Sequence, residues 1–226
     1  MTEPQRITLT VTGMRSHKLF GNKYYNDPRY IRIVKETIHY LHRHPEIDVV
    51  NNGLATGSDL LVALAVIKYN KLSERKIALN CFIPGKNQTE KYSPKEKELY
   101  SFAIKNADKV IQVTNLPCRA DVLKRRNRAM IDSGTNRVLS FWDCKDYRSG
   151  TYMTINYARK RDISVYNINP KDVGNQGFIY ISSKESPEVL LSSGEKVLTI
   201  SRKSHIEEHL MNELLRDYGH DASIAL

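Results

Sequence analysis

Between Ile7 and Asn169, six short apolar runs alternate with five longer segments of helical spacing. The runs are Ile7 to Gly13, Ile47 to Asn52, Ile77 to Pro84, Lys109 to Thr114, Asn136 to Asp143 and Ile163 to Asn169. They are near-continuous in apolar character rather than alternating, as strands covered on both faces require. The intervening segments are Pro28 to His44, Ser58 to Tyr69, Pro94 to Asn106, Ala120 to Ser133 and Thr151 to Arg161. In the first, Tyr30, Ile31, Ile33, Val34, Ile38 and Leu41 follow helical spacing, with Asp27 as N-cap and Pro28 in the first position. In the second, Leu60, Leu61, Leu64, Ala65 and Ile67 mark a buried side. Strand–helix alternation of this kind builds an α/β domain with a doubly wound, mostly parallel, Rossmann-like sheet. Such sheets bind ligands at the carboxyl ends of their strands.

The chain of 226 residues carries no uninterrupted apolar stretch near the roughly 18 residues that span a membrane. Its N-terminus lacks the basic and apolar regions of a secretory signal. Cys81, Cys118 and Cys144 are odd in number and show no metal or redox spacing. These features predict a cytoplasmic protein with reduced thiols and no membrane partner. A formal charge of +10 favours anionic partners, either nucleotide-type small molecules or nucleic acid. Beyond Asn175 the character changes. GFIYIS and KVLTIS read as a β-hairpin, and Ser204 to Tyr218 as a helix with Ile206, Leu210, Leu214 and Leu215 on one side. The expected division is a nucleotide-binding domain over 1–170 and a C-terminal β/α extension over 171–226. The apolar face of the last helix needs a cover, supplied by the domain itself or by a second copy in a homo-oligomer.

Four strand-to-helix junctions carry the candidate site. Gly13 ends the first strand, and Arg15, His17 and Lys18 follow. Gly53, Thr56, Gly57, Ser58 and Asp59 open the second helix; the glycines permit close backbone approach, and the helix amides form an anion site. Lys124, Arg125, Arg126 and Arg128 crowd about one helical turn, so only one or two can face a ligand. The fifth strand ends at Asp143, and after Arg148 the residues Ser149, Gly150 and Thr151 open another helix with amides and hydroxyls together. His205 and His209 stand four apart, and His39, His42 and His44 share one helix, but no third ligand accompanies either group. No metal site or resident cofactor is expected; Mg²⁺ arriving with a phosphate stays open.

The order of these motifs resembles the SLOG superfamily, close to its YpsA-type and YspA-type branches. The matching stretches are Gly13 and Arg15, Gly53 to Asp59, Arg126 with Asn127 and Met130, Phe141-Trp142-Asp143, Ser149-Gly150-Thr151, and Tyr157 to Lys160. They span about residues 7 to 169. The resemblance implies a pocket for nucleotides or nucleotide-derived ligands, including cyclic-nucleotide or nucleotide-sugar signals. The superfamily includes ligand sensors, a DNA-binding branch and phosphoribohydrolases. In the last group a glutamate supports departure of a base from ribose; the matching position here is Thr154, which cannot act as a carboxylate. The resemblance therefore points to Gly13, Arg15, Gly53, Thr56, Gly57, Ser58, Asp59, Arg126, Asn127, Asp143, Ser149, Gly150 and Thr151 as ligand contacts, in a sensor or sequestering protein. Two alternatives stand beside it. One is hydrolysis or transfer at an N-glycosidic bond, with Asp59 or Asp143 stabilising the sugar and Glu90, Glu96 or Glu98 replacing the missing glutamate. The other, less favoured, is nucleic-acid binding, with Tyr24, Tyr25, Tyr92 and Tyr100 stacking on bases.

Overall fold

A computed structural model describes residues 6–21, 29–171 and 178–181. The elements in chain order are β1 (Ile7–Gly13), α1 (Ser16–Leu19), α2 (Arg29–Arg43), β2 (Ile47–Asn52), α3 (Ser58–Leu72), β3 (Ala78–Ile83) and α4 (Pro94–Lys105). They continue with β4 (Lys109–Gln112), α5 (Ala120–Asp132), β5 (Arg137–Phe141), α6 (Gly150–Arg159), β6 (Ser164–Ile168) and β7 (Phe178–Ile181). All six expected strands and five expected helices form. The additional α1 is a single turn, too short to show a hydrophobic period.

The sheet order is β4-β3-β2-β1-β5-β6-β7. The first six strands are parallel and β7 runs antiparallel to β6. From β1 the chain winds outward to β4, then returns to β5 on the other side of β1. The order reverses between β1 and β5, which leaves a crevice above their carboxyl ends, the place where open α/β sheets hold ligands. Gly13 lies opposite Phe141 at that end of the pair.

Helix α3 is the hub of one layer, in contact with α2, α4 and strands β1, β2 and β3; α5 and α6 pack together as a second group. Every side chain from Leu60 to Ile67 is buried, so this stretch of α3 is apolar all round rather than on one side only, because the helix is covered on several sides. Each large side chain sealed there contributes about 1.5–3 kcal/mol through removal of apolar surface from water. By contrast, α2 buries one stripe, including Tyr30, Ile33, Val34, Ile38 and Leu41.

Of the expected tail, GFIYIS contributes β7, which extends this sheet along β6. KVLTIS and the helix from Ser204 to Tyr218 lie outside the described residues, as do Asp27, Pro28, Tyr24, Tyr25, His205 and His209. No helix among the described residues is long and apolar enough to cross a membrane.

Candidate functional site

A cleft of about 330 Å³ opens at the carboxyl ends of β1 and β5, where the strand order reverses. Its floor comes from Thr12, Gly13 and Met14 after β1 and from Trp142 directly after β5. Helix α5 forms one wall with Ala120, Leu123, Lys124, Arg126 and Asn127. Asp146, Arg148, Ser149, Gly150, Thr151 and Met153 form another. Arg15 and Lys18 from the α1 turn complete the rim, with Ala55 and Asp59 below.

Helix α6 opens onto this cleft. Ser149 is its N-cap: the Ser149 hydroxyl accepts from the Tyr152 amide at 3.1 Å and donates to the Asp146 carbonyl at 2.7 Å. The Thr151 hydroxyl donates to the Gly13 carbonyl at 2.7 Å, clamping the helix start onto the end of β1. The first amides of the helix, Gly150 and Thr151, face no intrahelical acceptor, because a helix leaves its first N–H groups unpaired. They make an anion-favouring end beside the cleft.

Arg126 is the unusual residue. It is 4% exposed, yet its Nε and one terminal nitrogen have no hydrogen-bond acceptor. Asp59 lies 3.6 Å from that terminal nitrogen, too far for a hydrogen bond. Asp59 is itself buried, and its carboxylate accepts from the Ala55 amide at 3.3 Å. Burial pushes the Asp59 carboxyl upward, against the pull of Arg126 and the Ala55 amide. The same burial lowers Arg126, which remains a cation because guanidinium starts so high. Trp142 lies fully buried nearby, with its indole N–H also lacking an acceptor, and packs with Tyr147 and Tyr152 at ring distances of 5.3 Å. Unpaired buried donors are costly in a folded chain unless something supplies acceptors. Arg15, Lys18, Lys124 and Arg148 add further positive charge to the lining; against them stand only Asp59 and Asp146, and Asp146 is paired with Lys18.

Of the residues expected from the sequence, Gly13, Arg15, Asp59, Arg126, Asn127, Ser149, Gly150 and Thr151 line the cleft together. Gly53, Thr56, Gly57 and Ser58 lie behind it, in the buried loop between β2 and α3. The expectation that its two glycines open the backbone to a ligand meets different occupants. A Cβ at Gly53 would sit 1.1 Å from the Arg126 guanidinium. A Cβ at Gly57, where φ is 89°, would sit 2.5 Å from the Met14 carbonyl and the Ser16 amide. Gly53 is therefore the shelf on which Arg126 lies, and Gly57 lets the β1–α1 turn pass. Ser58 donates from both its amide and its hydroxyl to the Met14 carbonyl. Gln88 and Tyr92 brace the same loop: Gln88 donates to the carbonyls of Gly53 and Leu54, and Tyr92 to that of Leu54 at 2.8 Å. Burial pushes the Tyr92 phenol up to about 12, so it stays a donor.

Asp143 does not line the cleft; it pairs with Lys171 at 2.9 Å and accepts from the Lys145 amide. Glu96 is buried, accepting from Ser16 at 2.7 Å and from the Ser93 amide in a capping box. Glu90 and Glu98 accept from Asn87 and Lys95. Thr154 turns its hydroxyl to the Gly150 carbonyl at 2.8 Å. Sequence reasoning did not single out the Trp142 indole N–H or the apolar walls Leu123 and Met153. The signal for Trp142 was available, since it is the first residue beyond β5 at the reversal point.

The sequence model described as the YspA SLOG family matches residues 9–173. The chain belongs to that family. The matched range contains every residue of the cleft, from Thr12 to Met153. Among solved structures, this SLOG chain is similar to the X-ray structure of DNA processing protein A (DprA) from Streptococcus pneumoniae, with 19% identity and a TM-score of 0.49. That alignment covers 92% of this chain and 56% of the other, so the chain spans little more than half of that protein's length. No curated protein matches it.

Proposed function

We propose that this SLOG protein binds a nucleotide or nucleotide-derived ligand through its phosphate in the β1/β5 cleft, as a sensor or sequestering protein. The observation that carries the reading is Arg126: a guanidinium 4% exposed, in the lining of a cationic cleft, with two nitrogens that lack acceptors. A phosphoryl group supplies several acceptor oxygens and the opposite charge, and Arg holds it through its rigid fork. The amides of Gly150 and Thr151, which have no intrahelical acceptor, and the Trp142 indole add donors of the kind a phosphate accepts from.

The cleft is better equipped to hold than to cut. Asp59 is tied to the Ala55 amide beside Arg126, and Asp146 to Lys18. The Ser149 and Thr151 hydroxyls already donate to carbonyls. Asp143 pairs with Lys171 outside the lining, and the two carboxylates within it, Asp59 and Asp146, are each already engaged. Any Mg²⁺ in this reading is carried by the ligand's own phosphates.

Trp142 is the only tryptophan in the chain, so its fluorescence reports on this cleft. Titration with AMP, ADP and adenosine is expected to quench or shift it for the two phosphates and not for the nucleoside. Arg148→Ala should weaken AMP binding about tenfold, the effect of one charge-assisted contact. Ligand recovered after long incubation should be chemically unchanged. Equal response to adenosine, or release of free base, overturns the proposal.

A further inference from the structure

A second cavity of about 190 Å³ lies between α5 and α6, next to the cleft. Lys124, Asn127 and Met153 line both cavities, so the two adjoin along these side chains. The α6 side consists of Met153, Thr154, Asn156, Tyr157 and the C-cap Lys160, of which Met153, Asn156, Tyr157 and Lys160 are spaced for one helix face. From Met153 to Lys160 the rise is about 10 Å. The lining carries one sign of charge: Lys124, Arg128 and Lys160 enter it, and no carboxylate does.

The acid held by Tyr157 is engaged with a cation outside the lining. Asp132 accepts from the Tyr157 hydroxyl and pairs with Arg161 at 2.9 Å. The Tyr157 ring in turn carries Arg161 on its face, with the guanidinium carbon 3.6 Å from the centroid, and Arg128 at 5.3 Å. Lys124 and Arg128 stand one turn apart on α5, where like charges repel. Helix α5 thus divides its cations between two adjoining cavities. Arg126 lines the cleft, Arg128 the groove, and Lys124 both.

We infer that the α5–α6 groove is a second phosphoryl subsite, so that the ligand carries two phosphoryl groups separated by about one nucleoside. This rests on the phosphate-binding reading of the cleft. The shared chemistry is that of a nucleoside bisphosphate or of a short single strand, whose successive phosphates are spaced alike.

The test uses the full chain and calorimetric titration at about 150 mM salt, where long-range charge effects are screened. The probes are AMP, 3′-AMP, adenosine 3′,5′-bisphosphate and a 5′-phosphorylated oligo(dA) octamer. The bisphosphate is expected to bind at least about tenfold more tightly than either monophosphate. The double variant Arg128→Gln, Lys160→Ser should erase that advantage while changing AMP affinity less than about twofold; AMP binding also reports that the variant is folded. Equal affinity for AMP and the bisphosphate overturns the second subsite and leaves the cleft reading intact. No binding of either overturns the cleft reading itself. If the octamer binds more tightly than the bisphosphate, with a steeper salt dependence, the source is a nucleic-acid strand. If it does not, the source is a free bisphosphorylated nucleotide.

Discussion

The loop from Gly53 to Gly57 and the loop from Trp142 to Ser149 both connect a strand end to a helix start, yet they are finished differently. Every residue of the first is buried, and its polar groups are answered from within the fold: Gly53 and Leu54 carbonyls by Gln88 and Tyr92, Leu54 and Ala55 amides by Asn52 and Asp59. The second exposes Lys145 and Arg148, keeps an unpaired indole N–H at its root, and ends at helix amides that have no intrahelical acceptor. The glycine-rich loop is the more conspicuous in sequence, but it serves as the shelf beneath Arg126. The donors left open to a ligand stand on the plainer loop and on α5. A glycine pair therefore marks close approach, and tertiary structure decides what approaches.

The largest effect should come from taking away what the shelf supports. Arg126→Met leaves Asp59 buried without its cation and is expected to cost on the order of 3–5 kcal/mol in denaturant unfolding, along with AMP binding. A loss under 1 kcal/mol would show that the pair is not what the loop is built around. Gly57→Ala should cost about 3 kcal/mol, since it adds strain at φ 89° to a backbone clash that cannot relax. Gly53→Ala meets a side chain instead, and is expected to cost about 1–3 kcal/mol by lifting Arg126. If both alanine variants melt like the parent, the two loops are not distinguished by packing.

The buried carboxylate gives a pH test of the same contrast. Because the folded-state value of Asp59 is raised, the folded chain holds that proton more tightly than the unfolded chain. Its contribution is full below the ordinary value of 3.8 and is lost as pH rises through the raised one. The stability of the parent relative to Asp59→Asn should therefore fall across that window and then level off. A difference constant with pH would refute the assignment. The smallest effects belong to the open loop: Arg148→Ala should alter stability by less than about 0.5 kcal/mol while weakening AMP. Asp146→Ala, which removes an exposed pair with Lys18, should cost no more than about 1 kcal/mol. Destabilisation comparable to that of Gly57→Ala would mean that the second loop, too, is structural.

Strand runs such as Ile47 to Asn52 were legible because burial on both faces of a parallel sheet leaves a local imprint, a run of apolar residues bounded by polar turns, whereas α3 was legible as a helix with one buried side and not as one covered all round. From those runs the chain by itself determined the alternating α/β architecture, and its junction motifs named several of the residues that line the cleft, such as Gly13, Arg15, Arg126 and Ser149. The order β4-β3-β2-β1-β5-β6 has no such imprint, since it depends on which side of β1 the chain returns to. Nor could spacing along α5 say which of four adjacent cations turns inward. That was decided by the space above Gly53, 73 positions away in sequence, which only the folded chain brings against Arg126. Asp143 shows the same limit from the other side: it ends an apolar run in a ligand-facing position by sequence, yet in the fold it pairs with Lys171 and lies outside the cleft lining. Local order follows from burial pattern, whereas the partner of a charge follows from contacts between distant segments, and the tertiary structure alone decides those.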